Sequence, residues 1–360
     1  MRFWATLAVL ALLAVAAADG YGWYCIEKPF GETPPEGTFV EIPHGASRRA
    51  VAHILKREGI LRSAVAFEIY ARRHPRRTLQ AGEYFFDHPL TGKEVFWKLA
   101  NGDVFYQPFT VREGETMMDI AHELQAAKIL KADEFLKAAK DPAQIQDLAP
   151  GAKTLEGFLY PATYNLPRHM TPGDLTAMMV RKFRDALKSI PTESAVAGNS
   201  AAMLSVVTVA SLVERETPKA DERPLVAGVY SNRLKKGMLL QCDPTVIYAL
   251  EQAGRYNGSL TLKDLRYDSP YNTYLNRGLP PGPIGNPGEA SLRAALQPAS
   301  TDYLYFVANT QGGHFFSATL AEHNKNVAKY HRLLNGEPAD PPVAEAGRAH
   351  KQNSAHRGRR

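Results

Sequence analysis

Residues Val206–Thr217, VVTVASLVERET, form an almost wholly apolar segment that ends abruptly on Glu214, Arg215 and Glu216. From Met203 to Val213 only Ser205, Thr208 and Ser211 interrupt the apolar run, so the segment reads as a buried helix, hydrophobic nearly all round. Such a helix has to be surrounded by other elements, and it delivers carboxylates to the edge of a core. A carboxylate at a helix C-terminus faces the negative end of the macrodipole, and apolar surroundings penalise its charge further, so both effects raise its pKa. A general acid working near neutral pH needs that shift. The same pattern also fits a solvated helix end, where Glu and Arg mark the exit from the core. At about 100° per residue, side chains two apart diverge. Glu214 and Glu216 therefore do not form a side-by-side pair; one acts and the other supports, with Arg215 or Arg223 as partner for Glu214.

Downstream, Pro, Gly and short polar residues mark out the elements. Asp221 with Pro224 starts a helix that Gly237 ends, and Asp243–Pro244 caps the helix TVIYAL. Asn286, Pro287 and Glu289 repeat the device, and Thr319 with Glu322 has the capping-box spacing. YLYFVA and HFFSA, separated by Asn309–Gly313, read as a β-hairpin. The segment Asp268–Pro287 is too rich in Pro and Gly to be an element, yet it carries Tyr271, Asn272, Thr273 and Tyr274. A long ordered loop bearing aromatic rings and amides suits a sugar, whose faces stack on tyrosine and whose hydroxyls need donors and acceptors. It equally fits a rigid connection whose tyrosines pack on the core.

At the other end, Phe3–Ala18 is apolar throughout and follows Arg2, which addresses the chain to a membrane. Small residues at Ala14–Ala18 suit a cleaved signal, whereas continuation through Gly20–Cys25, with Trp23 and Tyr24 at an interface, suits a spanning anchor. Residues 26–37 are a Pro- and Gly-containing connector. Residues 38–150 hold a strand and two short amphipathic helices, the first capped by Ser47. A strand, turn and helix recur at Gln107–Leu130, with Met118, Ile120 and Leu124 as the inner stripe. This layout used twice is that of LysM-like glycan-binding modules, or of two unrelated βα units. Residues 151–334 form a helix-rich catalytic region, giving an α+β fold class overall, and 335–360 lose periodicity and read as a disordered basic tail. A net charge of +6 falls partly in that tail and gives no nucleic-acid argument. Cys25 and Cys242 are too few and too far apart in sequence for a disulfide framework or a zinc site, and both read as unpaired.

The ordered set LEGFLYPATY, ASLVERET, LQCDPTVIY, YNTY, GLPPGPI and GGHFF resembles the MltG-type (YceG-like) endolytic murein transglycosylases from about Phe39 to Leu334. The resemblance implies cleavage of the MurNAc-β-1,4-GlcNAc bond of nascent peptidoglycan glycan strands to 1,6-anhydro ends. It implies Glu216 as catalytic acid and base, and Glu214, Gln241, Asp243, Thr245, Tyr271, Asn272 and Tyr274 as the substrate-binding set. It implies no metal or organic cofactor, a single-pass anchor in the inner membrane with the bulk of the chain on the periplasmic face, and peptidoglycan synthases as partners. A hydrolytic muramidase, using Asp243, Glu222 or Asp268 as a second carboxylate, and a non-catalytic glycan-binding scaffold are the alternatives.

Overall fold

The computed structural model describes residues 2–32, 34–191, 200–336 and 338; from residue 339 the expected tail lies outside these described residues. The chain divides into two units, Met1–Pro108 with Asn165–His169, and Phe109–Tyr164 with Met170–Arg360. Among the described residues it is mixed and helix-rich, with three two-stranded sheets.

The first unit begins with helix α1 (Arg2–Glu27), followed by β1 (Thr38–Ile42), α2 (Arg48–Arg57), α3 (Ala64–Arg72), β2 (Gly82–Phe86) and α4 (Gly92–Asn101). Ser47 and Ser63 cap α2 and α3 by accepting the N–H groups of Ala50 and Ala66, and Thr91 with Glu94 makes a capping box on α4. β1 and β2 run antiparallel, Thr38 opposite Phe86 and Ile42 opposite Gly82. The period of two turns Val40, Ile42, Tyr84 and Phe86 into a core shared with Leu55, Phe67 and Leu99. Phe39 and Phe85 meet on the other face with ring centroids 4.6 Å apart.

α1 is long and apolar enough to cross a membrane, about 39 Å at 1.5 Å per residue. Phe3, Trp4, Leu12 and Leu13 expose most of their surface, as a lipid-facing helix would. The last turn behaves differently. Cys25 and Ile26 are buried in the first unit's core, and the Arg62 guanidinium lies 4.7 Å from the Tyr24 ring centroid. The final residues of the expected anchor, 1–25, thus belong to the folded unit.

The second unit takes over from the first within β3 (Gln107–Thr110), which pairs with β4 (Thr163–Leu166), and between these strands come α5 (Met117–Ala126) and α6 (Ala132–Ala139). Thr116 caps α5 with Asp119, so the inner stripe is Met117, Ile120, Ala121 and Leu124. Met117 takes the buried place expected of Met118. Then come α7 (Pro172–Ser189), α8 (Ser200–Glu216), α9 (Arg223–Lys235), α10 (Asp243–Gln252), α11 (Glu289–Leu296), the hairpin β5 (Tyr305–Ala308) and β6 (His314–Ser317), and α12 (Leu320–Leu334). α8 packs against α9, α10 and α11. The hairpin pairs Tyr305 with Ser317 and Ala308 with His314, and Thr319–Glu322 caps α12 as expected.

Residues 109–150, expected with the N-terminal region, cluster with this second unit, and buried hydrogen bonds show why. Asn286 donates through N and Nδ2 to the Glu115 carbonyl, and its Oδ1 accepts from the N–H groups of Gly157 and Leu159. Glu156 accepts from Met117 N at the head of α5, from Tyr248 Oη at 3.1 Å and from Asn286 Nδ2 at 3.3 Å. Asn286 therefore does not cap α11; the cap position is Gly288, because the Asn286 amide is already fully used. Burial pushes the Glu156 carboxyl up to about 8 despite the Met117 and Tyr248 donors. A carboxyl whose folded pKa lies above its ordinary 4.5 keeps its proton in the fold where the unfolded chain has lost it. Its stabilising contribution is complete below that lower value and is lost as pH rises through the upper one. Glu156→Gln has no such titration, so its melting temperature relative to the wild type is expected to climb between about pH 5 and pH 8; calorimetric melts across that window check it.

Candidate active site

α8 places its carboxylates by burying almost everything that precedes them. Met203, Val207, Ala210, Leu212 and Val213 are buried, and the polar residues among them are satisfied locally. Thr208 Oγ1 donates to the Leu204 carbonyl, and Ser211 Oγ donates to the Thr208 carbonyl while accepting from Ile284 N at 3.0 Å. The two glutamates then diverge. Glu214 turns to Arg223 Nη2 at 2.8 Å and to the N–H of Gly288, the cap position of α11. Burial nonetheless raises its pKa. Glu214 thus joins α8, α9 and α11 as a strut. Arg215 pairs with Glu251 and donates to the Ile284 carbonyl.

Glu216, the last residue of α8, is half-buried. Its Oε2 accepts from Tyr230 Oη at 3.0 Å and from Cys242 Sγ at 3.5 Å. Among the described residues no protein donor reaches Oε1. Burial raises the Glu216 pKa, the Tyr230 hydroxyl, the His314 charge and the Cys242 thiol act against it, and the Asp243 charge adds to it. The carboxyl therefore has one oxygen anchored and the other open, with its proton held more tightly than an ordinary glutamate holds it.

The segment Gln241–Thr245 is set by a turn in which Gln241 has φ of 51°, in the left-handed region that few non-glycine residues occupy. Cys242 N donates to Thr273 Oγ1, Gln241 N to the Thr273 carbonyl, and Thr245 Oγ1 donates to the Cys242 carbonyl and bonds Thr273 Oγ1. Arg233 braces the turn through the Leu240 carbonyl at 2.8 Å. Asp243 is the first residue of α10 and not its cap: the cap position is Cys242, and the exposed Asp243 carboxylate accepts from Tyr274 Oη at 2.5 Å. Asp221 likewise stands outside α9, whose cap position is Glu222, with no side-chain capping bond.

The 268–287 loop is ordered by its own side chains. Asn272 is fully buried; its Nδ2 donates to the Leu265 and Tyr267 carbonyls and its Oδ1 accepts from Tyr274 N. Tyr271 is half-buried with its ring 4.9 Å from that of Tyr248. Of the seven residues expected to bind substrate, Asn272, Thr245 and Glu214 are buried and engaged in holding the frame. Gln241 and Asp243, which flank the Glu216 donor Cys242, are exposed, and Tyr271 and Tyr274 are half-buried. The sequence analysis did not single out Tyr230 or give Cys242 a part in the site, and named Thr273 only as one of the loop residues. A single tyrosine among the valines and leucines of α9 was the available signal, since a buried Tyr hydroxyl needs a partner.

An α+β unit with one half-buried acid at the end of a core helix, beside a tyrosine- and amide-braced loop, defines a candidate acid–base site. Residues 40–329 match the YceG-like family. An endolytic murein transglycosylase of Bacillus subtilis is 35% identical over 334 residues, 88% of this chain and 91% of that protein. One from Streptococcus pneumoniae D39 is 30% identical over 358 residues, 90% of this chain but 64% of that longer protein. The crystal structure of a putative yceG-like protein from Listeria monocytogenes is 35% identical with a TM-score of 0.51, covering 81% of this chain and 99% of that one. The chain belongs to the YceG-like family.

The packing of Tyr271 separates its two expected roles. Tyr271→Ala is expected to lower stability by about 1–2 kcal/mol through loss of the Tyr248 contact, whereas Tyr274→Phe, which removes only a hydroxyl bonded to an exposed carboxylate, is expected to melt close to the wild type. Denaturant titrations of the two variants decide it.

Proposed function

We propose that this chain is an endolytic peptidoglycan lytic transglycosylase that cuts the MurNAc-β-1,4-GlcNAc bond of nascent glycan strands and thereby ends their elongation. The observation that carries this reading is Glu216, with Oε2 fixed by Tyr230 and Cys242 and Oε1 open. Its relatives' name, endolytic murein transglycosylase, supports the substrate class.

One carboxyl suffices for the chemistry. Protonated Glu216 gives its proton to the glycosidic oxygen as the bond from that oxygen to muramyl C1 breaks, and the GlcNAc side leaves with a hydroxyl. Glu216, now a carboxylate steadied by the Tyr230 and Cys242 donors, takes the proton of the muramyl C6 hydroxyl as O6 closes on C1. The product is a 1,6-anhydro end, no water is consumed, and Glu216 regains its proton. A hydrolase instead needs a second carboxylate or an activated water. Asp243, whose charge bears on Glu216, is the group such a hydrolytic route would use, since Glu222 is taken up by His314. Gln241, Asp243, Tyr271 and Tyr274 form the surface offered to the sugar, with Glu214, Thr245 and Asn272 holding it in place.

The β1–α2–α3–β2 order closed by antiparallel pairing supports a LysM-like glycan-holding role within residues 38–150. α1 anchors the chain in the inner membrane in this reading, with the rest on the periplasmic face beside the peptidoglycan synthases that supply the strand.

Glu216→Gln keeps shape and loses the transferable proton. It is expected to abolish cleavage of purified glycan strands while leaving the melting curve near that of the wild type, and mass spectrometry of wild-type products is expected to show anhydro ends, lighter by one water than hydrolysed ends. Hydrolysed ends would select the muramidase. Removal of residues 1–20, which spares the buried Cys25 and Ile26, is expected to release the protein from membranes with cleavage in vitro intact; fractionation and product assay read both.

A further inference from the structure

α1 runs into the first unit without a linker. Phe3–Gly22 is twenty residues, about 30 Å of helix, which matches the hydrocarbon thickness of a bilayer. Trp23 and Tyr24 follow, both exposed and at the level where aromatic residues meet headgroups. The next two residues, Cys25 and Ile26, already belong to the core cluster that holds Ala64 and Phe67 of α3, and α1 packs against α3 directly. Just ahead of α3, the Arg62 guanidinium lies 4.7 Å from the Tyr24 ring centroid and 4.6 Å from that of Phe30. A spanning α1 therefore brings the start of α3 to the depth of the headgroups.

The outer face of α3 is unusual for a surface helix. The helix buries Ala64, Phe67 and Ala71 and turns Val65, Ile69 and Arg72 outward, at the i, i+4 and i+7 positions of one face. Val65 is 65% exposed and Ile69 49%, so two aliphatic side chains one turn apart are left open by the protein. Basic residues surround them. Residues 48–77 carry nine Lys and Arg against two Glu, an excess larger than the +6 of the entire chain. Glu58 is paired with Arg57 and Glu68 with Arg72. Arg49, Arg73 and Arg76 are exposed, and no carboxylate pairs with them among the described residues. Arg48 Nη2 donates to the carbonyls of Pro75 at 3.1 Å and Arg77 at 2.8 Å, which draws the start of α2 and the turn after α3 together and gathers their charges in one place.

Resting on the reading that α1 is a membrane anchor, we propose that this face of α3 is a second membrane contact: Val65 and Ile69 enter the headgroup layer of an anionic bilayer, and the surrounding arginines bind its phosphates. The occupant follows from the tether and the charge. A face that begins at the exit of a linker-free spanning helix cannot leave the interface, and apolar side chains ringed by arginine complement a surface that is apolar beneath and anionic on top. Two aliphatic side chains and a group of arginines make a weak contact that salt screens, so it sets how the first unit lies on the membrane, while α1 still holds the chain there.

The test places a nitroxide at Ile69→Cys in the full-length protein, reconstituted in vesicles of phosphatidylcholine alone or of equal parts phosphatidylcholine and phosphatidylglycerol, and measures its collisions with oxygen and with a water-soluble nickel chelate. Cys25 and Cys242 are buried, so the wild type supplies the labelling background, and a second label at Leu12→Cys reports on α1. In the anionic vesicles the label at 69 is expected to lose most of its collisions with the chelate and keep those with oxygen. Raised salt, or Arg73→Glu with Arg76→Glu, is expected to return it to water while the label at 12 stays in lipid. A label at 69 that is equally open to the chelate in both mixtures, with the label at 12 in lipid, overturns the α3 contact. Equal protection in both mixtures overturns the assignment to anionic headgroups, and protection that grows with protein density marks a second copy of the chain as the occupant. A label at 12 that is open to the chelate overturns the anchor reading and leaves the α3 face to be judged by its own label.

Discussion

The hydrogen bonds that Tyr230 and Cys242 make to a single oxygen of Glu216 are the interaction on which the second unit is arranged. Each donor comes from a different place. Tyr230 rides on α9, held against α8 by the Glu214–Arg223 pair, and Cys242 stands at the head of α10, held by Thr273 of the loop. To bring both to one carboxylate, α8 has to be enclosed by three helices, the Gln241 turn has to adopt its left-handed backbone, and the loop has to be rigid. Removing one partner of a buried hydrogen bond leaves the other unsatisfied, a cost of about 1–3 kcal/mol. The arrangement is therefore self-reinforcing, with each strut stabilising the geometry on which the others depend.

The same economy explains why so few of the polar residues near Glu216 face solvent. Asn272, Thr273 and Thr245 convert an irregular Pro- and Gly-rich segment into a fixed surface by satisfying its backbone groups internally. Asn286 and Glu156 do the corresponding work on the other flank, tying the turn before α5 and the Leu155–Leu159 segment to the end of the loop. Gln241 and Asp243 stay exposed on either side of Cys242, and Tyr274 is half-buried with its hydroxyl on Asp243; amide, carboxylate and phenol are groups that complement sugar hydroxyls.

Cys25 and Cys242 are both free, as expected from their number and spacing, and both are buried. Their roles are unlike. Cys25 packs in the first unit's core, whereas Cys242 is the weak donor that completes the Glu216 environment. Cysteine counting excludes a disulfide framework but says nothing of a thiol used as a hydrogen-bond donor, because that use depends on a neighbour distant in the chain.

Periodicity, capping and turn chemistry act within a few residues, and these were legible in the sequence: the buried α8 with its terminal glutamates, the caps Ser47 and Thr319, the stop at Gly237, the β5–β6 hairpin and an apolar N-terminal helix. The divergence of Glu214 from Glu216 was legible as well, since helical geometry alone dictates it. What only the tertiary structure decided were the partners. Asp243 and Asn286 carry the local signature of helix caps, yet their side chains bond Tyr274 and the Glu115 and Glu156 groups instead. Residues 109–150 join the second unit through Glu156 and Asn286, contacts that span 39 to 171 residues of chain. A cap competes with any other acceptor that the fold brings within reach, and sequence spacing carries no information on which acceptors those will be.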